Sequence, residues 1–240
     1  MSQCTIDKRN NPDPRALKTS LRFRPATEGD AYACAPLIFA SGTREFGFFL
    51  GVGAEQCVAF LKYAFASRFG RFSWRRHRIA VALDGTVCGV MAAHDGRVTG
   101  FDDFHVVWML LAFFGPLRTI RALLRGLVLE RELPSPKRRQ ILIAHCATAE
   151  CMRGMGVFSL LFEHALRCGV FAAREGRDVV LDVLVSNMGA RTLYERLGFV
   201  EMSRSYTRSR RLPVELASVR MRLVQVEGDD RSRGAGGSGF

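Results

Sequence analysis

The chain lacks several features that mark common classes of protein. Its seven cysteines form no CxxC pair and are odd in number, which argues against a small disulfide-framed domain. Its most membrane-like segment, Phe104 to Phe114, is too short to span a bilayer and ends at Gly115-Pro116. No apolar central region follows the N-terminus, so no signal peptide is expected. These absences predict a cytoplasmic protein with reduced thiols and no membrane span.

Lysine is scarce, at only four of the 35 basic residues, and the formal net charge is +12. This charge favours anionic partners such as nucleic acid, anionic lipid or a phosphate-bearing cofactor. An arginine bias can also reflect a GC-rich genome, so charge alone does not predict a nucleic-acid partner. The composition, 48% hydrophobic and 24% charged, excludes a disordered chain and predicts a folded core.

The pattern of apolar residues predicts one α/β domain with a mixed sheet. Residues 1–19 are polar and are predicted to be a flexible arm, and residues 227–240 a disordered tail. Residues 20–226 form the domain, in the order β-α-α-β-β-insert-β-α-β-α-β-β. Asp84-Gly85, between two apolar runs, predicts a hairpin turn.

The insert covers residues 97–140 and is predicted to be helical. Arg118, Arg121 and Arg125 form a cationic stripe opposite an apolar face. The stripe is compatible with a lid, a membrane-surface helix or a subunit contact. We expect instead a helical pair that packs on the sheet with its charged side in solvent.

A predicted strand, Ile141 to Thr148, leads into a glycine-containing turn and then directly into an amphipathic helix. The turn reads Arg153-Gly154-Met155-Gly156-Val157-Phe158. Glycines allow the backbone to approach a ligand closely, and the first N–H groups of a helix have no partner within the helix. A helix N-terminus beside an arginine is suited to a pyrophosphate.

A second motif follows about thirty residues later. Leu181 to Phe199 reads L-D-V-x-x-x-N-x-x-A-x-x-x-Y-x-x-L-G-F. Together with the R-G-x-G turn, it resembles the GNAT superfamily of acetyl-CoA-dependent N-acetyltransferases, over roughly residues 20 to 226. The resemblance implies a single domain whose mixed, largely antiparallel sheet opens in a V between its central strands. Here the helical insert would lie between strands 3 and 4.

The resemblance also implies a binding site for acetyl-CoA. Arg153, Gly156 and Phe158 match the family's pyrophosphate loop, which in this chain also contains Gly154, Met155 and Val157. Phe158 departs from the usual small residue, so its ring must point away from CoA. The backbone that would pair with the pantetheine arm is that of Cys146, Ala147 and Thr148.

Two further residues match family positions. Asn187 matches the residue that contacts the CoA arm, and Tyr194 the tyrosine near the thioester sulfur. A tyrosine can protonate the departing thiolate, because its pKa of ~10 keeps it protonated at neutral pH. The implied reaction is acetyl transfer to a primary amine in a direct ternary complex.

Two residues compete to be the general base. Neutralising an amine with a pKa of ~10.4 at pH 7 costs about 4.6 kcal/mol, so a base is expected. Asp182 lies five residues before Asn187, and His145 lies on the preceding strand. Asp182 could equally be a salt-bridged carboxylate, and His145 a satisfied core imidazole.

The partners are only partly predicted. The remaining histidines have no metal-ligand spacing, so no metal is expected. The acceptor is a small-molecule or peptide amine that the sequence does not identify, and a homodimer is left open. The alternatives are a longer acyl donor, a non-catalytic CoA-binding regulator, or a basic nucleic-acid or membrane-surface module on a GNAT scaffold.

Overall fold

The computed structural model describes residues 20–171, 177–203 and 212–224. The predicted arm, residues 1–19, and the predicted tail, residues 227–240, lie outside this range. The described residues contain one seven-stranded sheet in the order β1-β2-β3-β4-β5-β7-β6. The strands are β1 Leu21–Pro25, β2 His77–Ala82, β3 Val87–Asp95, β4 Gln140–Thr148, β5 Asp178–Leu184, β6 Phe199–Glu201 and β7 Ser218–Leu223.

Seven α-helices accompany the sheet in the described part of the chain. They are α1 Ala31–Ser41, α2 Thr43–Leu50, α3 Ala54–Ala66, α4 Thr99–Phe114, α5 Pro116–Glu130, α6 Val157–Arg167 and α7 Met188–Arg196. The predicted order omitted α2, a short helix that ends where Gly51 adopts a left-handed conformation (φ 64°). The first helical region therefore contains three helices rather than two.

The apolar residues divide into two main core clusters. One contains Phe60 and Phe65 of α3 with Ile79 of β2, and the other contains Phe162 of α6 with Phe199 of β6. The sheet is thus covered by helices, and the mixed α/β prediction is confirmed.

The sheet splits at its centre, as the resemblance implied. β4 and β5 form the only parallel pair in the described sheet, and their pairing runs from Gln140↔Asp178 to Ile143↔Leu181. Beyond Ile143, β4 no longer pairs with the described part of β5, although Ala147 and Thr148 still pair with β3. The V-shaped opening therefore exposes one edge of the second half of β4.

The insert is a pair of helices, α4 and α5, between β3 and β4, as predicted. Arg118 and Arg121 are exposed, as expected of the charged side. Thr119 and Ala122 face inward, whereas Leu117 and Leu124 are 73% and 60% exposed, so α5 also presents apolar side chains to solvent, which was not expected. The narrow inward stripe of small residues lets α5 pack closely, and this leaves its larger apolar side chains in solvent.

None of the described helices is by itself long and apolar enough to cross a bilayer. The bent pair α2 and α3 reaches the required length and apolarity only when both helices are counted together.

Candidate active site

The predicted phosphate-binding turn lies at the N-terminus of α6. Gly154 and Gly156 both have φ 82°, a conformation that favours glycine. A Cβ added at either position would meet nothing within 4 Å, so the space above the turn is open. The first intrahelical bond runs from the Leu160 N–H to the Gly156 carbonyl. The N–H groups of the first three helical residues are therefore free of intrahelical partners.

The side chains around this turn point in different directions. Arg153 is exposed, whereas Phe158 is buried in the core. The Phe158 ring packs at centroid distances of 6.5 Å from Phe162 and 5.9 Å from Tyr194. The bulky residue at this position thus fills the core beneath the helix.

A β-bulge interrupts β4 next to its open edge. Ala92 pairs with Ala144 and Val90 with Ala147, so His145 and Cys146 together oppose the single residue Met91. His145 has φ 54°, the only positive φ of a non-glycine residue in the described ranges. A bulge leaves its extra residue unpaired and redirects the neighbouring side chains.

Tyr194 and Cys146 lie together on the α6–α7 side of the sheet. The Tyr194 hydroxyl and the Cys146 thiol influence each other's ionisation, and burial raises the pKa of Cys146 to about 12. Burial also raises the pKa of Tyr194 well above 10, with a smaller contribution from Cys146. Both groups are therefore protonated at neutral pH. Tyr194 can serve as an acid, whereas Cys146 is poorly suited to be an acyl-carrying nucleophile.

Three histidines meet on the opposite side of β4. The His145 ring stacks on His77 at 5.2 Å and meets the edge of His94 at 5.4 Å. His145 Nδ1 lies 3.0 Å from His77 Nε2, and His77 Nδ1 lies 2.8 Å from the Ser73 carbonyl oxygen. Sequence patterns do not reveal this cluster, because the three residues come from three different strands.

These contacts, together with the pKa values of the rings, determine which ring nitrogens of His77 and His145 carry a proton. Burial lowers the pKa of His77 to about 4 and lowers the pKa values of His94 and His145 well below 6.5. All three rings are therefore neutral at pH 7. A carbonyl only accepts, so His77 donates from Nδ1 to Ser73 and accepts at Nε2 from His145. His145 consequently carries its free lone pair on Nε2, where it can accept a proton.

Asp182, the other candidate base, is engaged by an arginine. Arg220 donates to both of its carboxylate oxygens, from Nε at 2.8 Å and from Nη2 at 2.6 Å. Arg220 thus engages both oxygens of Asp182, whereas His145 keeps the lone pair of Nε2.

Asn187 occupies the N-cap of α7. Its side-chain oxygen accepts a hydrogen bond from the Ala190 N–H at 3.2 Å. The residue is exposed, and its amide NH₂ group projects from a capped helix start next to the end of β5. The capping role explains the asparagine on structural grounds and leaves its donor group available to a ligand.

A cavity of about 520 Å³ lies on the histidine side of the split sheet. Both candidate bases, His145 and Asp182, line it, together with parts of α2, α4, α5 and the open ends of β4 and β5. The sequence did not predict that the insert would wall this cavity, nor that Glu45 of α2 would face it. No group of three or more potential ligands suited to a metal ion occurs among the described residues.

The seven-stranded sheet, with one central parallel pair that splits beside a helix N-terminus, is the fold of N-acetyltransferases. The sequence profile described as "Acetyltransferase (GNAT) family" matches residues 54–199, and the chain belongs to this family.

Solved structures with the same fold include an N-acetyltransferase from Staphylococcus aureus Mu50, with 15% identity and a TM-score of 0.60 over 85% of this chain and 100% of that one. Another is described as histone acetyltransferase HPA2 and related acetyltransferase from Corynebacterium glutamicum ATCC 13032, with 17% identity and a TM-score of 0.54 over 84% and 94% of the two chains. No curated protein sequence is significantly similar to the chain.

Proposed function

We propose that the chain transfers the acetyl group of acetyl-CoA to a primary amine within a direct ternary complex. The observation that carries this proposal is the open second half of β4. It has the phosphate-binding turn and Tyr194 on one side, and the cavity with His145 on the other. Donor and acceptor would thus meet at the split in the sheet.

The donor would bind on the α6 side. The N-terminus of α6 would hold the pyrophosphate through Arg153, Gly154, Met155, Gly156, Val157 and Phe158, with backbone N–H groups and the helix dipole as the attractive elements. The pantetheine arm would pair with the free edge of Cys146, Ala147 and Thr148, and Asn187 would donate to it. No metal is needed, because the donors and acids are supplied by the chain.

The reaction would use one group on each side of the strand. The ammonium first gives one proton to His145 Nε2, which passes it to solvent, and the neutral amine nitrogen then attacks the thioester carbon. The carbon–sulfur bond breaks, and the departing thiolate takes a proton from the Tyr194 hydroxyl. The second proton lost by the nitrogen restores Tyr194. A backbone N–H freed by the bulge at His145 would stabilise the negative charge on the thioester oxygen. The products are the N-acetylated amine and CoA, and one proton is released.

His145 is expected to contribute a pH-dependent part of the rate. His145→Gln should lower kcat/KM by about 10²-fold near pH 7, and the loss should shrink as pH approaches an amine pKa of ~10.4. Since the pKa of His145 lies well below 6.5, its own protonation should not reduce wild-type activity between pH 6 and 9. The measurement is kcat/KM against pH, from thiol release.

Asp182→Asn is the matched comparison for this profile. It should disturb the pair with Arg220 and lower stability, with a loss of activity that does not depend on pH. The reverse result, a loss that shrinks at high pH only in Asp182→Asn, would assign the base to Asp182.

A second function, attachment to an anionic membrane surface, is favoured by the insert. Nine of the nineteen large apolar side chains that are exposed in the described residues lie on α4 and α5. Residues 104–129 contain three arginines and no acidic residue. An apolar helix face flanked by arginine is typical of helices that lie in the membrane interface. A two-fold contact between copies through this face would instead bring Arg118 and Arg121 close to their like-charged equivalents.

Sedimentation with vesicles tests this attachment. The chain should bind vesicles containing phosphatidylglycerol and not those of phosphatidylcholine alone. Combining Leu117→Glu with Leu124→Glu should weaken binding by about 10²-fold, because each leucine contributes roughly 1.5 kcal/mol or more on burial. Leu83→Glu, at a 68% exposed leucine outside the insert, should have little effect. Equal binding by all variants would contradict membrane attachment. A dimer that the double variant dissociates would also contradict it, because the apolar face would then be a contact between copies.

A further inference from the structure

We infer that the cavity beneath α4 and α5 is the acceptor site, and that it selects a primary amine carried on an extended apolar body. This inference rests on the proposed acetyltransferase function and assigns it a substrate class. It excludes small hydrophilic amines and polyamines as preferred acceptors.

The size and lining of the cavity fit such a molecule. Its volume of about 520 Å³ lies within the range of sites for drug-sized ligands. Apolar side chains dominate the lining and come from both the main domain and the insert: Phe46, Phe49, Phe72, Val106, Leu123 and Leu127. Such a surface gains free energy by contact with an apolar ligand and gains nothing from a small hydrated one.

Contacts between α5 and α2 hold the insert over this cavity. Arg125 of α5 donates to the Phe49 and Leu50 carbonyls at 3.0 Å and 2.6 Å, which satisfies the C-terminal end of α2. At Gly126 a Cβ would lie only 3.1 Å from the Phe49 ring, so α5 approaches α2 as closely as glycine permits. The cavity wall is therefore built by specific contacts between α2 and α5.

The charge of the lining points to a cation. The chain has a net charge of +12, yet four carboxylates line this cavity. Arg71 is the only lysine or arginine among the described lining residues. Three of these carboxylates are engaged: Asp103 by Arg71, Glu130 by the Ser135 N–H, and Asp182 by Arg220.

The fourth carboxylate, Glu45, lacks a comparable partner. Its Oε2 atom is buried and has no hydrogen-bond partner among the described residues. Burial raises the pKa of Glu45, because the charged form has lost its hydration. An ammonium group entering the cavity would supply the missing counter-ion. A second ammonium on the same ligand would find no other unengaged carboxylate in the described lining.

His94 is a second polar group that is incompletely satisfied in the cavity wall. It is 4% exposed, and its Nδ1 atom is buried without a hydrogen-bond partner in the described part of the chain. Its neutral ring stands edge-on to His145, the proposed base. His94 thus places a second incompletely satisfied polar group beside the proposed base.

A series of unbranched primary alkylamines tests the inference, with wild-type protein, acetyl-CoA and thiol release as the readout. Each methylene that enters the cavity contributes ~0.8 kcal/mol, or about a fourfold rise in kcat/KM. The rise from propylamine to octylamine should therefore approach about 10³-fold. Octylamine should also exceed 1,8-diaminooctane, which has the same chain length and a second ammonium, by at least about tenfold.

Two exposed leucines provide a matched pair of variants. Leu127 of α5 lines the cavity and is 67% exposed, whereas Leu83 is 68% exposed, lies outside the insert and is not among the lining residues. Leu127→Lys should lower kcat/KM for octylamine at least about tenfold by repelling the ammonium, and Leu83→Lys should not.

The possible outcomes distinguish a wrong acceptor class from a wrong proposed function. A kcat/KM that is flat across the series, or highest for the diamine, would overturn the acceptor class while acetyl transfer stands. Equal effects of the two lysine variants would overturn the assignment of the cavity. If no alkylamine is acetylated while another primary amine, such as a peptide amine, is acetylated, the acceptor class fails and acetyl transfer stands. If no primary amine of any kind is acetylated, the proposed function fails and the inference fails with it.

Discussion

Replacing Gly156 with Asp is expected to weaken CoA binding at least about 100-fold while the fold is retained. The new carboxylate would stand at the start of α6, where the pyrophosphate is proposed to bind, and close like charges cost several kcal/mol. A Cβ at this position meets nothing within 4 Å, so no clash with the protein is expected. The left-handed conformation costs about 1 kcal/mol or more, although aspartate tolerates it better than most residues. Calorimetric titration with CoA gives the affinity, and thermal unfolding gives the stability.

Gly156→Asn is the control for this variant. Asparagine has nearly the shape of aspartate and also tolerates the left-handed conformation, but it carries no charge. It should lose far less affinity than Gly156→Asp. Wild-type affinity in Gly156→Asp would remove the pyrophosphate from this turn, and equal losses in both variants would assign the effect to shape rather than charge.

Tyr194→Phe is expected to lower kcat by about 10²–10⁴-fold with the affinity for CoA unchanged, because the variant lacks only the acid that protonates the thiolate. The ring packs against Phe158 and Phe199, and phenylalanine preserves these contacts. Since the pKa of Tyr194 is raised well above 10, the wild-type hydroxyl stays protonated from pH 6 to 9, and the loss should be constant over that range.

Tyr32→Phe serves as the comparison, because Tyr32 is 76% exposed and lies on α1 outside the site. It should leave kcat unchanged. An unchanged kcat in Tyr194→Phe would instead exclude Tyr194 from proton transfer and would leave the thiolate to be protonated by solvent.

Much of the fold was predictable because its signals are local. Asp84-Gly85 marks the β2–β3 hairpin, and Thr27 with Asp30 forms a capping box just before α1, a pattern that is readable in the sequence. The turn at Gly156 was predicted from the glycine spacing and the strand-to-helix change around it. Each of these signals depends on neighbours in the sequence, so periodicity and turn chemistry suffice to find them.

The acceptor side of the site was not predictable, because it depends on register and packing. His77 and His94 reach His145 only because β2, β3 and β4 pair with a particular register, including a bulge. The orientation of α5 was also ambiguous. Its sequence has one stripe of apolar residues and one stripe of small residues. The small-residue stripe faces inward, where α5 approaches α2 closely at Gly126.

Some predictions remain as they were stated from the sequence. The cytoplasmic location, the oligomeric state and the roles of Asn187 and Arg153 in holding CoA stay predictions. The choice between the two bases rests on the pair between Asp182 and Arg220, which the spacing of the motif does not reveal.

The most direct test of the account is the product of one reaction, in which wild-type protein is incubated with acetyl-CoA and octylamine. Mass spectrometry should find N-acetyloctylamine and CoA formed in equal amounts, at a rate that Gly156→Asp abolishes and that Tyr194→Phe lowers. If CoA binds and stabilises the protein but no acetylated amine forms with octylamine or with any other primary amine, the account is contradicted, and the chain is a CoA-binding regulator instead.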